Sequence, residues 1–150
     1  MTLVEISGPA IPRFSRREMT TFSRKVLITL YRLGHLPEEI SDVSIALVDD
    51  KAMTSLNRKY RQKNKTTDVL TFPADDSYGD PEETGRPLGD IVISVDQARR
   101  QAADQHHSLP TELRYLILHG ILHALGHDHE TGDGKMNALE MQVRAKVGLE

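Results

Sequence analysis

The sequence predicts an α+β domain: a mixed sheet of about four strands with about five helices, one of them buried at the centre. Three observations carry this. Short stretches at 3–6, 43–48, 68–72 and 88–95 have the alternation or the compact apolar run of strands, while longer stretches repeat apolar residues every three or four positions. Strand-like and helix-like stretches are interspersed along 150 residues, with neither an internal repeat nor a break in composition, so residues 1–150 read as a single domain. Finally, the stretch from Ser108 to Leu125 is apolar nearly all the way round, with Leu113, Leu116, Ile117, Leu118, Ile121, Leu122 and Leu125. A helix of that composition belongs in a core.

In order, Leu3 to Ile6 reads as a strand that Gly8-Pro9 breaks. From Arg16 to Leu33, Met19, Phe22, Val26, Leu30 and Leu33 form a helical stripe, with Gly34 as its stop and His35 exposed beyond it. Val43 to Val48 is the second strand. Asp49 or Asp50 caps a helix whose Met53, Leu56 and Tyr60 face the core and whose C-terminal end carries Arg61. Asp68 to Phe72 is a third strand ended by Pro73; residues 74–87 form a polar loop; Leu88 to Val95 is a fourth strand, with Ile91 and Ile93 on one face and Val92 on the other. Asp96 caps a helix reaching about Gln105, and His106-His107 read as surface residues. Ser108 caps the central helix with Pro110 in its first turn, and Met136, Leu139, Val143 and Val147 mark a closing helix.

Charge and cysteine usage narrow the class. The chain has no cysteine, no basic leader and no apolar run of membrane-spanning length, which fits a cytoplasmic protein in a reducing compartment without a membrane partner. A net charge of −3 argues against a protein that coats nucleic acid through bulk positive field. The charge is unevenly placed, however. Arg58, Lys59, Arg61, Lys63 and Lys65 form a segment without an acid, whereas the rest of the chain sets 14 basic residues against 22 acidic ones. That segment is a candidate phosphate contact, or simply a solvated loop.

Four of the seven histidines lie between residues 119 and 129. On a helix, His119 and His123 project from one face a turn apart, so their ring nitrogens can converge on one ion. Two core histidines bonded to backbone carbonyls are the plainer reading of an isolated HxxxH pair, but buried imidazoles on an aliphatic helix each need a partner, and one metal satisfies several. Gly126 permits a left-handed residue and ends the helix. A third ligand can then come from beyond it. If the helix continued, His127 would lie about 12 Å along the axis from His119, too far for a tetrahedral set, so the turn favours His129. His119, His123 and His129 around one Zn2+ leave a fourth position open, the arrangement of a catalytic site.

These residues fit the frame H-x-x-x-H-x-x-G-x-x-H, except that Gly120 stands where metzincin-type peptidases have a general-base glutamate. The variant H-G-x-L-H-x-x-G-x-D-H resembles the YbeY family of bacterial endoribonucleases and ribosomal RNA maturation factors. Tyr60-Arg61, Thr67-Asp68-Val69-Leu70-Thr71-Phe72-Pro73 and Leu88-Gly89-Asp90-Ile91-Val92-Ile93-Ser94 extend the resemblance in the family's order.

The resemblance implies a zinc-dependent, single-strand-specific endoribonuclease acting in 16S ribosomal RNA 3′ end maturation and ribosome quality control. It also implies Arg61 as the catalytic residue, ribosomal RNA as substrate, and small-subunit ribosomal proteins and assembly factors as partners. From the residues alone, Gly120 cannot serve as a general base and is expected to leave space beside the ion. The proton acceptor stays open between Asp128 and His127. Two alternatives stand beside this reading: a zinc-dependent peptidase or other metallohydrolase, drawing its carboxylate from Asp68 or Asp90, and a non-catalytic ribosome-assembly factor with a structural metal.

Overall fold

A computed structural model describes residues 3–36, 40–74, 86–126 and 135–149. The described elements run β1 (Leu3–Ser7), α1 (Arg16–Arg32), β2 (Ile40–Val48), α2 (Asp50–Arg61), β3 (Val69–Pro73), β4 (Arg86–Ser94), α3 (Val95–Asp104), α4 (Leu109–Ala124) and α5 (Lys135–Val147). The sheet has the order β1-β2-β4-β3. β1 pairs parallel to β2, with Ile6 opposite Ile45, and β2 pairs parallel to β4, with Ile45 opposite Ile91; β3 closes the edge antiparallel to β4, with Leu70 opposite Val92. The sheet is therefore mixed, and each parallel pair is joined by a crossover carrying a helix, as its geometry requires.

The alternation along the strands decides which helix covers which face. Val43, Ile45, Leu47, Ile91 and Ile93 point into the main core with residues of α1, α4 and α5. Ala46, Val48, Leu70, Phe72 and Val92 point the other way, where Met53 and Leu56 of α2 cover them. Tyr60, expected to face the core, is 53% exposed and instead sets its ring edgewise on Phe72, with centroids 5.1 Å apart. The hydroxyl explains this: at the rim of α2 the ring body is covered while its polar tip stays wet.

The buried helix is α4. Leu113, Ile117, Leu118, Ile121 and Leu122 are all fully buried. At about 1.5–3 kcal/mol per side chain removed from water, α4 contributes on the order of 10 kcal/mol, an upper figure because unfolded chains are partly collapsed. Its start is fixed as the sequence predicts, Ser108 Oγ accepting from the Thr111 amide at 3.2 Å, and Gly126 adopts φ +91° just after its end.

Two other caps are resolved. Asp49, not Asp50, caps α2, accepting from the Ala52 amide at 2.8 Å. Asp96 does not cap α3; the chain passes from strand to helix without a loop, so Ser94 accepts from the Gln97 amide at 3.1 Å. Asp96 reaches across to take the Asp50 amide at 2.9 Å. Asp50 in turn accepts from Thr66 and Ser94, each at 2.9 Å, and pairs with Arg100 at 2.8 Å. One carboxylate thus ties α2, the segment after it, β4 and α3 together.

Gly120 shows why α4 lies so close to the sheet. A Cβ at this position would stand 2.6 Å from Cγ2 of Ile91. The residue is buried against β4, so the space expected beside an ion is filled by Ile91. The missing glutamate is a packing requirement of this helix on this strand.

Candidate metal centre and adjoining cavity

His119 and His123 share one face of α4, with ring centroids 4.2 Å apart and planes tilted by 47°. Nε2 of His123 is shielded from solvent. His119 Nδ1 lies 3.2 Å from Oε1 of Glu140, which α5 brings against α4. Glu140 is itself buried, at 7% exposure, and its other oxygen lies 3.5 Å from Arg144. With Nδ1 held by a carboxylate, Nε2 is the nitrogen that can ligate; a carboxylate behind a histidine is the usual support of a metal-binding imidazole. The chemistry of this pair therefore fits a zinc ion.

Among the described residues no group of three or more His, Cys, Asp or Glu side chains is placed to hold a metal. The expected third ligand, His129, lies outside the described residues, as do His127 and Asp128. The polar loop is also mostly outside them, and nothing is described of the side chain of Met136.

Beside His119 opens a cavity of about 500 Å3, lined among others by Asp68, His107, Glu112, Glu140 and Arg144. Asp68, one of the two carboxylates weighed for a peptidase, thus faces the same space as His119. It is positioned locally: Oδ1 accepts from the Val69 amide at 2.7 Å, and its carbonyl accepts from the Ser94 amide at 2.9 Å. Asp90, the other, is exposed and lines a separate cleft with Glu5 and Asp42. His107 is not a free surface residue. It bonds Glu112 at 2.7 Å and stacks on Tyr115 at 5.6 Å, and Gln101 donates to the second Glu112 oxygen at 3.0 Å. The turn before α4 folds back on its first two turns, which a sequence pattern around two adjacent histidines does not reveal.

Arg61 is the last residue of α2 and is exposed, and Gln62 ends the helix at φ +56°. The five cations between Arg58 and Lys65 are all exposed. Their backbone is nonetheless held, because the buried Asn57 side chain donates to the Lys65 carbonyl at 2.8 Å. The structure brings His119 and His123 together. Arg61 does not line the cavity beside them.

Comparison with known proteins shows the family of the chain. The protein-family model described as "Endoribonuclease YbeY" matches residues 11–148. The chain belongs to the YbeY family. It is 46% identical over 136 residues to the endoribonuclease YbeY of Myxococcus xanthus, covering 89% of this chain but 44% of that protein. It is 38% identical over 144 residues to that of Solibacter usitatus, covering 94% and 80%, and 39% identical over 146 residues to that of Desulfitobacterium hafniense, covering 93% and 92%. A Thermotoga maritima protein whose solution structure is known shares the fold, with a TM-score of 0.62 at 24% identity over 97% of this chain and 89% of that one. The YbeY match spans α1 to α5, so both described histidines, Glu140 and Arg61 fall inside it.

Proposed function

We propose that this protein is a zinc-dependent endoribonuclease that cleaves single-stranded RNA, with His119, His123 and His129 as metal ligands and Arg61 as the catalytic residue. The observation that supports it most is the YbeY family match from residue 11 to 148, across the whole candidate site. When bound, zinc supplies Lewis acidity toward water and phosphoryl oxygen. The protein does the rest. Glu140 fixes the ring of His119, and the burial of α4 fixes the spacing of the histidine pair. Arg61 carries a fixed planar charge on a held backbone, suited to a phosphate whose negative charge grows in the transition state. Asp68, facing the cavity, is a candidate proton acceptor alongside Asp128 and His127. The reading extends to maturation of the small-subunit ribosomal RNA 3′ end and ribosome quality control in the cytoplasm, with small-subunit ribosomal proteins and assembly factors as partners. No helix among the described residues is long and apolar enough to cross a membrane.

The position of Asp68 also favours, as a second reading, a metallohydrolase that uses a carboxylate on a peptide. Incubating zinc-loaded protein with unstructured RNA and with casein, each with and without chelator, separates the two. Chelator-sensitive cleavage of RNA alone is expected; cleavage of casein alone overturns the proposal. In the same assay Arg61→Ala should keep zinc and fold while losing cleavage by orders of magnitude, and Arg61→Lys should recover only part. Unchanged rates in the alanine variant would remove Arg61 from the site.

A further inference from the structure

A second concentration of positive charge lies away from the Arg58–Lys65 segment. α1 carries Arg16, Arg17, Arg24, Lys25 and Arg32 against one acid, Glu18, while the rest of the chain has 14 basic and 21 acidic residues. Where α1 meets α5, Arg24, Lys25, Arg32 and Lys146 line a groove of about 790 Å3, with no acid among the described residues of its wall. Among the described residues none of the four cations has an ion-pair partner. Arg24 is half-buried, and its Nε, out of contact with water, has no acceptor among the described residues. Arg32 and Lys146 sit in last turns, where the helix dipole favours cations. That account does not reach Arg24 and Lys25 in the middle of α1, nor the convergence of two helices on one groove.

We infer that the groove between α1 and α5 binds the phosphate backbone of the RNA strand whose scissile bond lies at the histidine site. The inference rests on the endoribonuclease reading. From Lys25 to Arg32 the axis rises about 10 Å, three nucleotide steps of a stacked strand at about 3.4 Å each. α5 joins the groove to the candidate active site, because Glu140 and Arg144 line the cavity beside His119 and Lys146 lines the groove. Lys146 is the sixth residue after Glu140, about 9 Å along the axis and on the opposite flank of α5, so a strand that visits both places passes over that helix. A strand of several nucleotides can occupy both places, while a dinucleotide in the cavity cannot reach the groove. Ile28 and Leu33 line the groove beside the cations, an apolar surface along which long cationic side chains can lay their stems. Four cations with no acid among the described residues of the wall, on a chain with an excess of acids, draw a polyanion to this groove.

Lys25, Arg32 and Lys146 are exposed, so Lys25→Gln/Arg32→Gln/Lys146→Gln should fold as the parent does, checked by its thermal melt. Binding of fluorescent 20-nucleotide and 3-nucleotide oligouridines is measured by anisotropy between 50 and 300 mM salt with metal chelated, and cleavage of both is measured with zinc. For the long RNA, affinity should fall at least tenfold and the slope of log K against log salt should become shallower by about 2, near 0.7 per lost contact. Cleavage of the 3-mer should be unchanged. Equal affinity and slope in parent and variant overturn the inference while leaving the enzyme reading intact. Competition by polyglutamate as effective as that by RNA also overturns it, in favour of an acidic peptide. Absence of RNA cleavage by the parent, with the salt-dependent loss of binding still present, overturns the enzyme reading and not the groove.

Discussion

Replacing Gly120 with alanine separates a packing role from an open-space role. An added Cβ lies 2.6 Å from Ile91 Cγ2, well inside the contact distance of two carbons, and also 3.5 Å from Cγ1 and Cδ1. Cγ2 is attached directly to Cβ, so it cannot swing away without turning the whole side chain. Ile91 is fully buried in β4, a strand paired on both sides. Overpacking at such a site costs about 1–3 kcal/mol, and alanine returns about 1 kcal/mol through helix propensity. The expected net destabilisation is about 1 kcal/mol, roughly 3 °C in a domain of this size. Ile91→Ala alone should cost about 2–5 kcal/mol. Because it removes Cγ2, adding Gly120→Ala to it should then be neutral or stabilising, so the double-mutant cycle should show about 2 kcal/mol of coupling. Urea unfolding of the four proteins measures this. Stabilisation by Gly120→Ala in the parent background, or simple additivity, would refute the close approach of α4 to the sheet.

His119→Ala, His123→Ala and His129→Ala should each lose most bound zinc and melt at lower temperature, whereas His127→Tyr should retain zinc; atomic emission on the purified variants decides, and zinc retained without His129 but lost without His127 would reverse the choice of third ligand. Glu140→Ala should weaken zinc affinity about 10–100-fold and shift the His119 tautomer seen by 15N NMR, while Glu140→Gln, which keeps an acceptor oxygen, should do less; identical zinc affinity and identical spectra in all three proteins would deny Glu140 its positioning role. For Asp50, burial pulls the carboxyl pKa up, but hydrogen bonds from Arg100, Ser94 and Thr66 and the charge of Arg100 outweigh it and hold it below the ordinary 3.8. A depressed pKa gives stability that is present above about 3.8 and is lost as pH falls through the folded value. Asp50→Asn should therefore melt lower at pH 7 and lose less on acidification below pH 4, and parallel melting curves from pH 7 to pH 2 would contradict this.

Apolar periodicity carried most of the fold because it reports on burial, and burial here is continuous. The opposite facing of Ile93 and Val92 is visible in the sequence as one residue of offset, and the structure turns it into two separate clusters on the two faces of the sheet. Strand order, the parallel pairing of β2 with β4, and the covering of the second sheet face by α2 are not local properties, and no window of residues encodes them. The cap of α3 shows a different limit. Ser94 and Asp96 are both competent caps, and which one acts depends on the Asp50 amide waiting for Asp96 from 46 residues away.

The candidate site divides along the same line. His119 and His123 are legible because four residues on a helix fix a geometry by themselves. Glu140 is not, since its place behind His119 depends on how α5 docks, 21 residues later. One signal for it existed. On α5, Leu139, Val143 and Val147 mark the buried stripe, and Glu140 lies beside Leu139 and one turn before Arg144, at the edge of that stripe. A carboxylate at the edge of a buried helix face needs a partner inside the protein, and a histidine pair in search of support supplies one. The same reasoning applies to Glu112, buried at the start of α4 and satisfied by Gln101 and His107. Gly120 is the converse case: the absence of a side chain resembles an empty place beside a metal, but on the face of the helix that packs on β4 the glycine marks where the next layer comes closest. The peptidase-type glutamate at position 120 is therefore excluded by Ile91; of the described carboxylates that share a cavity with His119, Glu140 is bonded to it and Glu112 to His107 and Gln101, while Asp68 is bonded only to its neighbours in sequence.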